Sequence, residues 1–186
     1  MVGEIHVAPG LLIAMPQLRD PNFHHSVVLM IEHQEQGAFG LVINKPTRVP
    51  VSELLSAIDV DWQGPSAEVA WAGGPVQPET GWILHEPVEG LSGNGTHEIM
   101  PGLFMSSAPD ALRVLAAGPP KRVRFVLGYS GWGPAQLERE LTETAWVNSD
   151  LSADFIFDTP PEEMWEAALA RIGVSPATLA AAPGIH

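Results

Sequence analysis

Val27-Val28-Leu29-Met30-Ile31, followed by Glu32-His33, is the stretch on which the fold turns. Five consecutive apolar residues are far short of the roughly 20 that a membrane-spanning helix needs. They also lack the in-out alternation of a strand with one wet face, so the spacing predicts a strand covered on both sides. Working outward, further strand-like runs fall at Gly10–Met15, Ser26–Glu32 around the run itself, Phe39–Asn44, Glu68–Ala72, Gly81–His85, Glu98–Met105, Arg122–Gly128 and Asp154–Phe157.

Helices must supply the cover. Helical signals begin at Val51–Leu55 and continue at Pro109–Ala117, where Ser106 or Ser107 is placed to cap and Gly118-Pro119-Pro120 ends the run. A third helix is expected after Gly133 with Pro134 in its first turn, Leu137 and Leu141 inward, and Glu138, Arg139 and Glu140 mostly outward. Pro160–Gly173 places Met164, Trp165, Ala168, Leu169 and Ile172 at helical spacing, and Ser175-Pro176 opens a short terminal helix. Strands and helices do not alternate regularly, which argues against a doubly wound sheet or a barrel of βα units. The pattern reads as an α+β fold: a mixed, largely antiparallel sheet wrapped by a few helices. No repeat or long linker interrupts the chain, so residues 1–186 read as one domain.

Composition removes several classes of function. With no cysteine, disulfides, thiolate metal sites and thiol nucleophiles are excluded. The start Met1-Val2-Gly3-Glu4-Ile5-His6 lacks the basic, apolar form of a signal peptide, which predicts a cytoplasmic protein with no membrane segment. A net charge of −13 repels a nucleic-acid backbone, and Lys121, Arg122 and Arg124 form too small a basic cluster to reverse that; they read as a solvated edge.

The most suggestive local motif is Gly128-Tyr129-Ser130-Gly131-Trp132-Gly133, expected to form a tight turn between a strand and a helix. Its glycines are spaced G-x-x-G-x-G and miss the dinucleotide fingerprint G-x-G-x-x-G. A nucleophile elbow, G-x-S-x-G, fails because Trp132 occupies the last place. The simpler reading is a glycine-bent connection whose Tyr129 and Trp132 pack over the sheet. Among seven histidines, His24 and His25 point to opposite faces if extended, while His33 and His85 end two strands and could converge with Asp20 or Glu32 on a metal. The commoner role of strand-end histidines is hydrogen bonding, and no metal site is expected. Gly73-Gly74-Pro75 marks a sharp turn. Asn44 is placed to bond its own backbone at a strand end, beside an exposed Lys45.

These blocks together resemble the AlgH/YqgE family of bacterial proteins. The resemblance runs through Gly10-Leu11-Leu12-Ile13-Ala14-Met15-Pro16, Asp20-Pro21-Asn22-Phe23, Gly37 to Pro46, Gly73-Gly74-Pro75-Val76, Leu84-His85 and Gly128 to Glu138. It implies a bifurcated, partly barrel-like sheet surrounded by helices. Some members have been labelled transcriptional regulators and others left uncharacterised, and the resemblance brings no DNA-reading helix. The family commonly has alanine where Ser130 stands and glycine where Ala135 stands, so Ser130 is a poor shared nucleophile.

The reading that follows is a cytoplasmic, non-catalytic protein that binds a protein partner or small ligand, without a cofactor. Its expected site gathers His33, Asn44, Gly74, His85, Tyr129, Trp132 and Gln136 at strand ends and glycine turns. The rivals are a hydrolase using Ser130 with His85 or His33 as base, a metal-dependent enzyme using the histidines, and a regulator that binds DNA directly.

Overall fold

The computed structural model describes residues 6–91, 93 and 95–174. The expected terminal helix at Ser175 lies outside them.

The apolar run opens strand β2 (Val27–Gln34), flanked by β1 (Gly10–Ala14) and β3 (Gly37–Val42). Odd and even residues of β2 enter separate cores. Val27 and Leu29 join one with Leu11, Ile13 and Trp165, while Val28 and Met30 join another with Leu12, Trp132 and Trp146. Both faces are thus covered, which explains the lack of alternation.

The remaining strands are β4 (Pro46–Pro50), β5 (Val69–Ala72), β6 (Val76–His85), β7 (Thr96–Met100), β8 (Leu103–Ser106), β9 (Val123–Trp132) and β10 (Trp146–Ser149). The main path runs β10-β1-β2-β3-β9-β6-β8-β7, with β4 paired to β5 and β5 paired to β9. Strand β9 makes the fork: one edge follows β6, while the other meets β3 at Ser130–Trp132 and β5 at Val126–Leu127. The β5–β9 ladder is parallel and the other named ladders are antiparallel, giving the bifurcated, half-barrel α+β sheet expected.

Among the described residues, five helices lie against it: α1 (Val51–Ser56), α2 (Pro109–Ala117), α3 (Gln136–Thr142), α4 (Ala153–Asp158) and α5 (Pro161–Arg171). A third core, including Val51, Leu55, Ile83, Leu115 and Phe125, fills the space beneath α1 and α2.

Several local expectations need correction. Asp154–Phe157 is helical, because the Ser152 hydroxyl accepts from Phe155 N at its start and Asp154 and Asp158, one turn apart, both grip Arg122 at 2.7 and 2.6 Å. Glu98–Met105 is a hairpin, since Pro101-Gly102 separates β7 from β8. The Gly128–Trp132 segment continues as strand instead of turning. Pro134 precedes α3, whose N-cap is Ala135 in the left-handed region at φ 64°. The α2 N-cap is Ala108, with neither Ser106 nor Ser107 as a side-chain cap. Arg124 is far from a solvated edge: it lies over the Trp71 and Phe157 rings and donates to the Phe157 carbonyl.

Candidate functional site

Of the seven residues expected to share a site, three come together through α3. His33 sits opposite Ala38, which in turn sits opposite Trp132, so β2, β3 and β9 bring the two side chains to one end of the sheet. Val7 N donates to His33 Nδ1 at 3.2 Å, leaving Nε2 to carry the proton and donate to Glu138 Oε1 at 2.7 Å. That hydrogen bond holds the Glu138 carboxyl below the ordinary carboxylate range. Glu140 Oε1 accepts from the indoles of both Trp132 and Trp146, at 3.1 and 3.0 Å, and its Oε2 accepts from Gln136 at 2.9 Å. The expectation that Glu138 and Glu140 face outward fails, since both brace buried partners. The imidazole, both indoles, the Gln136 amide and both Glu140 oxygens are engaged, and Glu138 Oε2 alone in the group makes no hydrogen bond among the described residues, so the arrangement is a clamp with one free carboxylate oxygen.

The other four lie elsewhere. Tyr129 packs with Phe39 and Trp82 against the first core. Gly74 supports it from below, because a Cβ there would strike the Tyr129 carbonyl and Ser130 nitrogen. Asn44 reaches across to β2 instead of bonding its own backbone, accepting from Val27 N and donating to the His25 carbonyl. His24 and His25 are not extended; their rings stack on each other, with His25 also stacked on Trp165. Lys45 is held to the Asn22 carbonyl, and burial lowers its pKa.

His85 is the decisive separation. It pairs with Val123 at the far end of β9 from Trp132, a distance on the order of 30 Å along a strand. His33 and His85 therefore cannot share an ion or a substrate, and the seven-residue site does not form. Ser130, proposed as a nucleophile, donates to the Gly73 carbonyl at 3.1 Å. It has no histidine partner among the described residues.

Sequence reasoning missed the actual partner of His85. Its Nδ1 donates to the Glu86 carbonyl at 2.8 Å, so Nε2 accepts from the Ser106 hydroxyl at 2.8 Å, and Ser106 Oγ accepts from Thr96 at 2.8 Å. Burial pushes the His85 pKa down, against the opposing pull of the Glu86 carbonyl, and favours this neutral form. The order of groups resembles a nucleophile, base and orienting acceptor, yet Ser106 has no exposed surface and its hydroxyl is engaged on both sides. Its role is to tie β6, β7 and β8 together.

Beside that network the surface opens into a groove between α1 and α2. Leu54, Leu55 and Ile58 form one wall, Leu112 the other, and Ile83 and Phe125 the floor, around a cavity of about 300 Å³. Glu79, Ser106 and Ser107 are the polar side chains other than Trp82 in its lining. Ile58 is 53% exposed at its lip, a large apolar side chain left in water. The lining comes from positions without functional motifs, so only the helical spacing of Val51–Leu55 and Pro109–Ala117 hinted at it.

An α+β protein with a forked half-barrel sheet and an apolar surface groove is the class these features define. The chain belongs to the AlgH-like family, whose model matches residues 11–177. It is similar to UPF0301 proteins of Myxococcus xanthus, at 42% identity over 97% of this chain and 99% of the relative, and of Burkholderia thailandensis, at 42% over 97% and 96%. The solution structure of the AlgH protein from Pseudomonas aeruginosa shares 40% identity and superposes with a TM-score of 0.76, covering 99% of this chain and 98% of that one. A crystal structure from Corynebacterium diphtheriae, at 21% identity and a TM-score of 0.71 over 92% and 90% of the two chains, shares the fold.

Proposed function

We propose that this protein acts by binding a small, largely apolar ligand in the groove between α1 and α2. The observation that carries the reading is the groove itself, about 300 Å³ in volume and lined mostly by apolar side chains. That volume is at the lower end of small-molecule pockets, and it favours a compact ligand over a partner helix. The neighbouring Ser106–His85 network is saturated, which supports binding without turnover.

The test is a metabolite screen read by thermal shift, since a ligand that prefers the folded state raises apparent stability. Hits should bind wild type and lose affinity about tenfold or more in Leu112→Glu, which places a charge in the groove wall. A folded Leu112→Glu protein that keeps full affinity would remove the groove from the function. A protein partner would instead appear as binding to a folded polypeptide that Ile58→Glu weakens while the metabolite screen stays blank.

A further inference from the structure

We infer that a second cavity, between the β2–β3 and β7–β8 hairpins, is a recognition site for a guanidinium group. It has a volume of about 420 Å³ and is lined by Ile31, Glu32, Phe39, Trp82, His97 and Glu98, among others. Its aromatic members, Phe39 and Trp82, meet edge to face with ring centroids 5.1 Å apart.

The backbone departs from regular pairing to put the two carboxylates there. In β2 the register shifts between Met30 and Glu32, and this bulge sets Glu32 opposite Phe39 while turning His33 to the other face, toward Glu138. In β7 a second shift falls between Glu98 and Met100. Two hairpins distant in sequence thus each bring a glutamate beside a bulge to the same cavity. Both glutamates are exposed, and neither makes a hydrogen bond or ion pair among the described residues. No lysine or arginine lines the cavity to neutralise them.

Uncompensated carboxylates beside aromatic rings select for an organic cation. The rings offer negative faces to a positive charge, and the carboxylates accept its N–H donors. Guanidinium suits both demands, because it is planar enough to stack and presents paired donors to a carboxylate, whereas a compact ammonium matches only the charge. The chain's net charge of −13 adds long-range attraction for such a ligand. This site shares Trp82 and Ser107 with the lining of the α1–α2 groove, but Glu32 and Glu98 line it alone, so loss of binding in a variant of these two glutamates separates it from the groove.

The experiment titrates the full chain, labelled with ¹⁵N, with N-acetyl-arginine amide and its uncharged counterpart N-acetyl-citrulline amide. The Trp82 indole resonance, assigned by its loss in Trp82→Phe, reports occupancy. The arginine derivative should shift this resonance saturably and bind at least about tenfold more tightly than the citrulline derivative, as expected for loss of the charge-assisted bonds. Glu32→Gln/Glu98→Gln, which changes only exposed side chains and should fold normally, should weaken the arginine derivative by about tenfold or more and leave the α1–α2 groove unaffected. Equal binding of both derivatives, or unchanged arginine binding in the folded double variant, would overturn the assignment. So would the absence of any Trp82 shift at about 10 mM probe, a concentration well above the affinity useful for a specific site.

Discussion

At the residue scale, Ala135 carries a conformational cost that its side chain does not offset. It holds the left-handed region at φ 64° just before α3, where glycine would sit without strain. The resemblance noted from sequence has glycine at this place, and the backbone supplies the physical reason. Ala135→Gly should therefore raise stability by about 0.5–1 kcal/mol, after the added freedom of the unfolded chain is counted, as measured by urea denaturation. Glu140 makes the opposite case. Its carboxylate satisfies the buried indoles of Trp132 and Trp146, which are 6% and 2% exposed, and Glu140→Ala leaves both donors without that partner. The expected loss is about 3 kcal/mol by the same measurement, with Glu140→Gln retaining part of the stability through its remaining oxygen.

At the scale of elements, legibility followed the length and spacing of the apolar pattern. The long run at Val27–Ile31, the helical face of α5 and the Gly118-Pro119-Pro120 stop could all be read directly. The short Asp154–Phe157 run could not, because four residues with two phenylalanines fit strand or helix alike. The Ser152 cap and the spacing of Asp154 and Asp158 were the signals that decide for helix. Strand β4, with a proline at each end, and the four-residue β10 carried little pattern of their own; each is fixed by its partner strand. The site was less legible still, since the clamp depends on β2, β3, β9 and α3 meeting, and the groove on facing helices far apart in sequence.

The β6–β7–β8 unit has its own pH response. His85 has a folded pKa lowered by burial, so it binds a proton less readily folded than unfolded. Its contribution to stability is full above the unfolded pKa of about 6.5 and is lost as pH falls through the folded value. Wild type should lose urea stability between about pH 7.5 and pH 5.5, and His85→Gln should lose less over that interval because its side chain does not titrate. Equal losses in the two proteins would assign the pH response to other groups.

At the scale of the whole molecule, β9 is a member of both arms of the fork. Its amides should be the slowest to exchange with solvent, and those of the terminal strands β7 and β10 faster, in native-state hydrogen exchange followed by NMR. Closure of the first core also spans almost the entire chain. The Trp165 indole donates to the Ala14 carbonyl at 2.7 Å across a separation of 151 residues, and β1 pairs with β10. On a ribosome adding roughly 5–20 residues per second, β1 would wait roughly 8–30 s for α5 to be made. During that interval the Val27–Ile31 strand would be present without its C-terminal cover, so the nascent chain should be a client for a chaperone that shields apolar segments during translation.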